Sequence, residues 1–543
     1  MLTISKTDYI LFRECKKNVW LKKHRPDIYD KSGLSEFEKA IIETGNEVEL
    51  LARTLFSVGI LIEGRDRAAQ ELTQEYLKSL RAERSNLRAA QTGLPRRRLL
   101  AMTDRAGSRI KCGMTDGEMV LFQPVFVKDG FLAAVDILEY PHTKIGEGAG
   151  DEKTDGYNIY EVKATNEIKE KIHFYDLAFQ VNLLRKFNIK VSGIKLLHLN
   201  PDYIRSGELD LKNMFIIEDV TEGVEKLVDE VSAEMDAALE YLSRETEPAG
   251  HCCCINKSRN NHCATFSYSN PDVPEYSIHD IARIGSSKKK LQQLIDANIF
   301  KFEEIPEEIE FSEIQRNQID AYVLDKILIE KELIRKEFEE LVFPLYFLDY
   351  ETCPAAVPRF DGYSPYQQIP FQYSLHKLAL PSAKLEHFDF LHTKSDDPSR
   401  PLAESLQKHV GDKGTIIAWN KKFECNINKK LAERLPEFKI FMDSVNSRIY
   451  DLMDVFSKQY FVHKHFKGST SIKCVLPVLA PKLSYKDLHI QEGGTASQSW
   501  DKIALSDISK EEKNQITKDL LDYCELDTYA MYAIWRELEN IIS

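Results

Sequence analysis

The sequence predicts an α/β protein made of two α/β units joined by a small helical module. Three observations lead there. At 543 residues the chain is too long for one ordinary hydrophobic core. Residues 1–245 alternate helix-spaced with strand-like segments, and a second alternation starts near residue 344. Between them, residues 264–278 (ATFSYSNPDVPEYSI) are rich in Ser, Pro and Asn and read as a linker. The expected division is 1–265, a helical module at 266–340, and 341–543.

Taken in order, apolar spacing predicts helices over 7–23 and 35–57, then strands over 119–127 (MVLFQPVFV), 131–138 (FLAAVDIL) and 157–163 (YNIYEVK). Helices follow over 173–187 and 222–244. In the module, residues 278–306 read as two short helices about a Gly-Ser turn. That segment is similar to a helix-hairpin-helix, whose turn amides hold a backbone phosphate; a plain helical spacer is the equal alternative. The second unit carries strands LYFLDYE, FQYSLHKLAL, LEHFDFLH and GTIIAW, helices over 400–410 and 421–434, and a long last helix over 511–541. No internal repeat is evident.

Composition narrows the class. Hydrophobic residues make up 43% and charged residues 29%, which is ordinary for a globular protein and argues against disorder. No run approaches ~18 uninterrupted apolar residues, so no membrane span is expected. MLTISKTDYILFREC does not read as a signal peptide, and a cytoplasmic location is expected. The net charge of −13 argues against nucleic-acid binding over the whole surface. Basic clusters at 16–25, 95–98 (PRRR), 288–290 (KKK) and 463–467 (HKHFK) allow it locally.

Two sets of residues carry chemistry. On a strand, side chains two apart share a face, so Glu161 and Lys163 project together while Val162 packs inward. Asp136, from the preceding strand, can meet them, and Gln180 follows on a helix. Acidic oxygens with a backbone carbonyl suit Mg²⁺ or Mn²⁺, and the lysine can position or deprotonate an attacking water. In the second half the same period pairs Asp349 with Glu351. AWNKKFE presents Asn420 and Glu424, and Tyr523 and Asp527 share a helical face. Acidic stations on two strand ends and a helix are what a two-metal centre needs. Asp451 and Asp454 are second-tier candidates.

Ten cysteines in a chain read as cytosolic are not expected to form a disulfide framework. Cys252, Cys253, Cys254 and Cys263 cluster, and thiolates so close together imply a metal. Cys15, Cys112, Cys353, Cys425, Cys474 and Cys524 are scattered, and most of these six read as small buried hydrophobes. PRFDGYSPYQQIPFQYS (358–374) is rich in aromatic and amide residues, for stacking on bases or for core packing.

The Asp136, Glu161-Val162-Lys163 and Gln180 set resembles the PD-(D/E)xK nuclease superfamily, and within it the RecB-like branch that includes CRISPR-associated exonucleases. The helix ending at Cys15 before basic residues, and Gly45 in TGNEVELLA, match that branch. Glu49 stands where the branch has histidine, Leu184 where it often has tyrosine, and Gln123 where relatives tend to have an acid. The resemblance implies a [4Fe–4S] cluster on Cys15, Cys252, Cys254 and Cys263, with Cys253 able to replace a neighbour. His251 and His262 keep zinc as the rival. The C-terminal set resembles DnaQ-like 3′→5′ exonucleases with an RNase H-type fold: DxE, an acid four past an asparagine, and YxxxD. Glu424 stands where that family usually has aspartate, Tyr523 would orient the attacking water, and STSIKCVLPVL (469–479) matches a structural helix start.

Both resemblances imply a metal-dependent exodeoxyribonuclease acting on DNA ends or single strands, in phage defence or DNA repair. Two rivals stand beside it: a nucleic-acid-binding subunit with one or both sites decayed, and an RNA-processing exonuclease.

Overall fold

The computed structural model describes residues 2–29, 36–56, 59–78, 119–140, 156–506 and 508–543. The basic cluster at 95–98 and Cys112 lie outside them. The chain divides into two compact units. One takes in Met1–Gly33, Ile41–Tyr203 and Gly207–Cys252; the other takes in Leu34–Ala40, Ile204–Ser206 and Cys253–Ser543. Residues 266–340 therefore group with the C-terminal half. Both units are mixed α/β. No helix among the described residues is long and apolar enough to cross a membrane.

In the first unit the helix expected over 7–23 is two helices, Lys6–Glu14 and Lys16–His24, broken at an extended Cys15 (φ −161°, ψ 102°). Ser5 opens the first with a capping box. Its hydroxyl accepts from the Asp8 N–H (3.1 Å), and the Asp8 carboxylate accepts from the Ser5 N–H (3.0 Å). The strands are β1 (Ile4–Ser5), β2 (Gly59–Leu61), β3 (Met119–Phe122), β4 (Val125–Lys128), β5 (Phe131–Ala134), β6 (Ile137–Tyr140), β7 (Tyr157–Lys163), β8 (Val191–Leu199) and β9 (Phe215–Asp219). Two segments expected to be single strands are thus each split.

The cause is Gln123-Pro124. Proline has no N–H for the ladder, and Gln123 takes a left-handed φ of 55°. The facing strand breaks at the same level. The Gln123 N–H donates to the Asp136 carbonyl (3.0 Å) and the Val135 N–H to the Pro124 carbonyl (3.1 Å). One long hairpin is thereby bent across two sheets, β1-β5-β4 and β2-β3-β6-β7-β8-β9, with Asp136 at the corner. The helix Glu170–Lys186 packs beside it and buries Leu177, Phe179, Val181 and Leu183.

The second unit is built on a five-stranded sheet. Its strands are β11 (Leu345–Pro354), β12 (Gln368–Leu378), β13 (Glu386–Leu391), β14 (Thr415–Ala418) and β15 (Ile449–Asp451), in the order β13-β12-β11-β14-β15. β12 is antiparallel to both its neighbours, whereas β11, β14 and β15 run parallel. A short ladder joins β10 (Leu328–Ile329) to β16 (Phe461–Val462).

β11 is covered on both faces, which is why LYFLDYE reads as a nearly continuous apolar run. Leu345 and Phe347 join Met531, Ile534 and Trp535 of the helix Lys510–Ile542. Tyr346, Leu348 and Tyr350 join Leu402 and Leu406 of the helix Ser399–His409, and Ile427 and Leu431 of the helix Lys421–Arg434. The two-residue period then puts Asp349 and Glu351 on the Phe347 face, toward the long C-terminal helix. Gly414 (φ 98°) precedes β14, and a Cβ there would lie 2.2 Å from the Pro344 carbonyl oxygen. Only glycine permits that approach.

The two-helix module is not formed. Residues 278–286 make two single 3-10 turns, and only Lys288–Asp296 is α-helical. The Ala282 N–H donates to Gln318 Oε1 (2.7 Å), while the Ala282 carbonyl accepts from Gln315 Nε2 (2.9 Å). Those side chains take the place of helical backbone partners, and Arg283 turns to φ 57°.

Candidate functional site

In the first unit, Asp136, Glu161, Lys163 and Gln180 come together. Asp136 Oδ2 accepts from the Val162 N–H (2.9 Å) and Oδ1 from Gln123 Nε2 (3.2 Å). Glu161 is 1% exposed. Its Oε1 accepts from both Lys163 Nζ and Lys6 Nζ, each at 2.7 Å, and its Oε2 accepts from Gln180 Nε2 at 2.7 Å. Lys6 Nζ is also 3.9 Å from Asp136 Oδ1, and Lys163 Nζ is 2.9 Å from Asp176 Oδ2. Gln123 Nε2 donates to Glu49 Oε1 as well (2.6 Å), and Glu49 pairs with Arg53. Glu49 and Gln123 are therefore partners of one another. Leu184 is core.

The electrostatics follow from these pairs. Burial, then the charge of Glu161, pushes the Asp136 carboxyl up to about 7. Burial also opposes charge on Glu161, but Lys163 and Lys6 overcome it and hold that carboxyl below its ordinary range. Burial opposes charge on the two lysines too; Asp176 and Glu161, the chief acidic neighbours, outweigh it and push both upward. Lys163 is thus held protonated, which suits the positioning alternative over proton abstraction. Lys6 and Asp176 were not anticipated. Asp176 had a signal, since it lies four residues before Gln180 on the same helix face.

In the second unit, Asp349, Glu351, Glu424, Tyr523 and Asp527 line one cavity of about 300 Å³. Glu351 sits where the β11–β12 register slips, a bulge that re-aims side chains. Glu424 stands in the first turn of the helix that Asn420 leads. Tyr523 and Asp527 lie on the helix Lys510–Ile542. Glu351, Glu424 and Asp527 are buried, and Glu424 Oε2 has no hydrogen-bond partner among the described residues.

Burial, reinforced by neighbouring carboxylates, pushes Asp349, Glu351 and Glu424 well above the usual carboxylate range. Burial raises Asp527 to about 6, held back by a hydrogen bond from Tyr485 and by Lys473. The Tyr485 hydroxyl donates to Asp527 Oδ1 at 2.6 Å. Burial, then the charge of Asp527, keeps the Tyr485 and Tyr523 hydroxyls protonated.

Three groups here escaped the sequence reading. Tyr485 is one. Lys473, from the segment taken as a structural helix start, lines the cavity and lies 5.6 Å and 5.8 Å from the rings of Tyr485 and Tyr523. Cys524, read as a bland hydrophobe, offers sulfur within 4.8 Å of oxygens of Asp349 and Glu351.

Other candidates have structural roles. Asp451 accepts from the N–H groups of Lys421 (3.0 Å) and Met453 (3.2 Å), pinning the start of the Glu424 helix. Asp454 pairs with Lys458 at 3.0 Å. Tyr363 and Tyr373 are core, at 1% and 0% exposure, and are closed to stacking on bases. Cys15 and Cys252 are buried in the first unit, Cys254 is buried and Cys263 half-buried in the second, and Cys253 is exposed. His262 gives its Nε2 to the Lys257 carbonyl (3.0 Å). Four thiols suit an iron–sulfur cluster and zinc alike.

The molecule is thus a mixed α/β protein whose second unit gathers four acidic side chains round one cavity. Residues 346–471 match the family model described as "Domain of unknown function (DUF2779)". That stretch takes in Asp349, Glu351 and Glu424 and stops short of Tyr523 and Asp527. The chain is similar to "Uncharacterized protein MG366" of Mycoplasma genitalium, 26% identical over 215 residues, covering 36% of this chain and 32% of the relative. It is likewise 27% identical over 216 residues to the Mycoplasma pneumoniae homologue, with the same coverage of 36% and 32%. The chain spans about a third of the length of these curated relatives. No solved structure matches it.

Proposed function

We propose that this chain is a divalent-cation-dependent nuclease that hydrolyses phosphodiester bonds at DNA ends or in single strands, with its hydrolytic centre at Asp349, Glu351, Glu424 and Asp527. One observation carries this reading. Four carboxyl groups from β11 and two helices meet at one cavity, and among the described residues none has an ion-pair partner within 4.0 Å, Lys473 being the cation that lines the cavity with them. Leaving buried acids uncompensated costs several kcal/mol, which a resident cation would offset.

The donor set fits Mg²⁺ or Mn²⁺, since all four are hard oxygen ligands and Glu424 Oε2 is orphaned. When bound, the cation supplies Lewis-acid polarisation and a more acidic water. The protein's own groups do the rest. Tyr485 orients Asp527 by hydrogen bonding, and Tyr523 lines the same cavity, where it orients the attacking water. Lys473, and the amino end of the helix Gly493–Leu505 at Gly493, supply positive charge at the cavity for a phosphate. The sheet order with β11 central supports an RNase H-like (DnaQ-type) reading of this unit. The corner holding Asp136 beside Glu161 and Lys163 supports a PD-(D/E)xK reading of the first.

The first centre favours a second reading, a nucleic-acid-binding unit whose hydrolytic site has decayed. Both oxygens of Glu161 are engaged, and Lys6 Nζ stands between Glu161 and Asp136. A cation does not fit there unless Lys6 leaves. For the four-cysteine set we propose a [4Fe–4S] cluster, with zinc as the rival.

The test is Mn²⁺-dependent hydrolysis of end-labelled single-stranded DNA, with matched RNA as competitor. Asp349→Ala should lose at least ~10²-fold in rate, and Asp136→Ala should retain activity. Equal inertness of wild type and both variants supports the binding-subunit reading, and preferential cleavage of RNA assigns the other substrate.

A further inference from the structure

We propose that His376, His387 and Glu525 form a transition-metal site of the zinc class, separate from the carboxylate centre and from the four cysteines. His376 and His387 are a directly opposed cross-strand pair on β12 and β13. Such partners project from the same side of the sheet with their Cβ atoms close, and the two imidazoles stand face to face, with centroids 4.4 Å apart and planes 25° from parallel. Glu525 reaches the same place from the helix Lys510–Ile542, which packs on these strands. One donor atom from each of the three lies within 4.8 Å of the others.

What separates this from a chance cluster is how the rings are held. His376 Nδ1 is hydrogen-bonded to Thr528 Oγ1 at 2.8 Å, and His387 Nε2 to Ser374 Oγ at 3.0 Å. The two hydroxyls bond each other at 2.7 Å, and the Thr528 hydroxyl also donates to the Glu525 carbonyl at 3.1 Å. Each ring thus spends one nitrogen on a fixed hydroxyl and keeps the other for a ligand. The free nitrogen of His387, Nδ1, faces Glu525 Oε1 at 3.8 Å. A partner on the second nitrogen that fixes tautomer and ring orientation is what metal-ligating histidines have. Two imidazoles and one carboxylate make a borderline-soft set that suits zinc, cobalt or nickel better than magnesium.

Accessibility agrees. His376 is 3% exposed, whereas the side chains of His387 and Glu525 are 24% and 51% exposed, so one side of the site is open to solvent and leaves room for a water ligand. Bonds of ~2.0–2.1 Å require donors that lie within 4.8 Å of one another to draw together, a movement that a turn of the part-exposed His387 ring and of the exposed Glu525 side chain supplies. A metal here would fasten the helix Lys510–Ile542 to β12 and β13, and that helix carries Tyr523 and Asp527.

Equilibrium dialysis of the full chain against Zn²⁺ tests this, comparing wild type with the His387→Asn/Glu525→Gln double variant. Both substitutions lie at solvent-accessible positions, and circular dichroism checks that the fold is kept. The expected result is one fewer zinc equivalent per chain in the variant, with the cysteine-bound metal unchanged. Equal zinc stoichiometry in a folded variant overturns the proposal. Co²⁺ gives the independent readout: a weak visible band lost in the variant supports the site, and identical cobalt spectra refute it.

Discussion

Asp527→Asn tests whether the second centre lacks a counter-charge. Asp527 is raised from 3.8 to about 6 in the folded protein, chiefly by burial. A carboxyl that holds its proton more tightly when folded makes folding less favourable as pH rises from its unfolded pKa to its folded one. At ~1.4 kcal/mol per unit, about two units cost ~3 kcal/mol, fully incurred above about pH 6 and absent below about pH 4. Asparagine keeps an oxygen to accept from Tyr485 and removes the charge. In EDTA at pH 8, Asp527→Asn should therefore be more stable than wild type by ~2–3 kcal/mol, roughly 5–10 °C in Tm. Near pH 4 the difference should vanish. Thermal unfolding by circular dichroism across that range, with and without millimolar Mn²⁺, is the assay, and Mn²⁺ should favour wild type. A variant no more stable than wild type at pH 8 without metal would mean Asp527 is already compensated, and the reasoning fails.

Three further outcomes follow from the same geometry. A hydrogen bond to a charged group contributes ~1.5–3 kcal/mol. Tyr485→Phe should therefore raise the Asp527 titration by roughly one unit, read by infrared or NMR titration of metal-free protein. Breaking a buried ion pair costs ~3–5 kcal/mol, so Lys6→Met should lower Tm; millimolar Mn²⁺ should recover part of that loss in the variant and leave the first centre of wild type unaffected. The purified protein should be brown and contain iron and sulfide that Cys15→Ser loses; a colourless protein with one zinc per chain selects the rival metal.

The local rules read well from sequence where chemistry and period coincide. Glu161 with Lys163, and Asp349 with Glu351, needed only the two-residue strand period, and Tyr523 with Asp527 only the helical one. What escaped depended on distance along the chain. Lys6 meets Glu161 across 155 residues and Tyr485 meets Asp527 across 42, and no local pattern signals either. The bent hairpin had a local signal: a proline at position 124 inside a predicted strand argues for the split that places Asp136 at a corner. The 278–286 segment failed for the opposite reason. Its sequence looks helical, but the side chains of Gln315 and Gln318, more than thirty residues on, take the hydrogen bonds of the Ala282 backbone. Tyr363 and Tyr373 show the limit of composition, since an aromatic-rich stretch carries no label separating core from surface.

Anomalous difference density from a Mn²⁺-soaked crystal tests the central claim most directly. Peaks bonded to oxygens of Asp349, Glu351, Glu424 and Asp527, at roughly 2.0–2.3 Å, are the predicted result. Ordered density for those four side chains with no manganese among them, at concentrations that fill other sites, would contradict it.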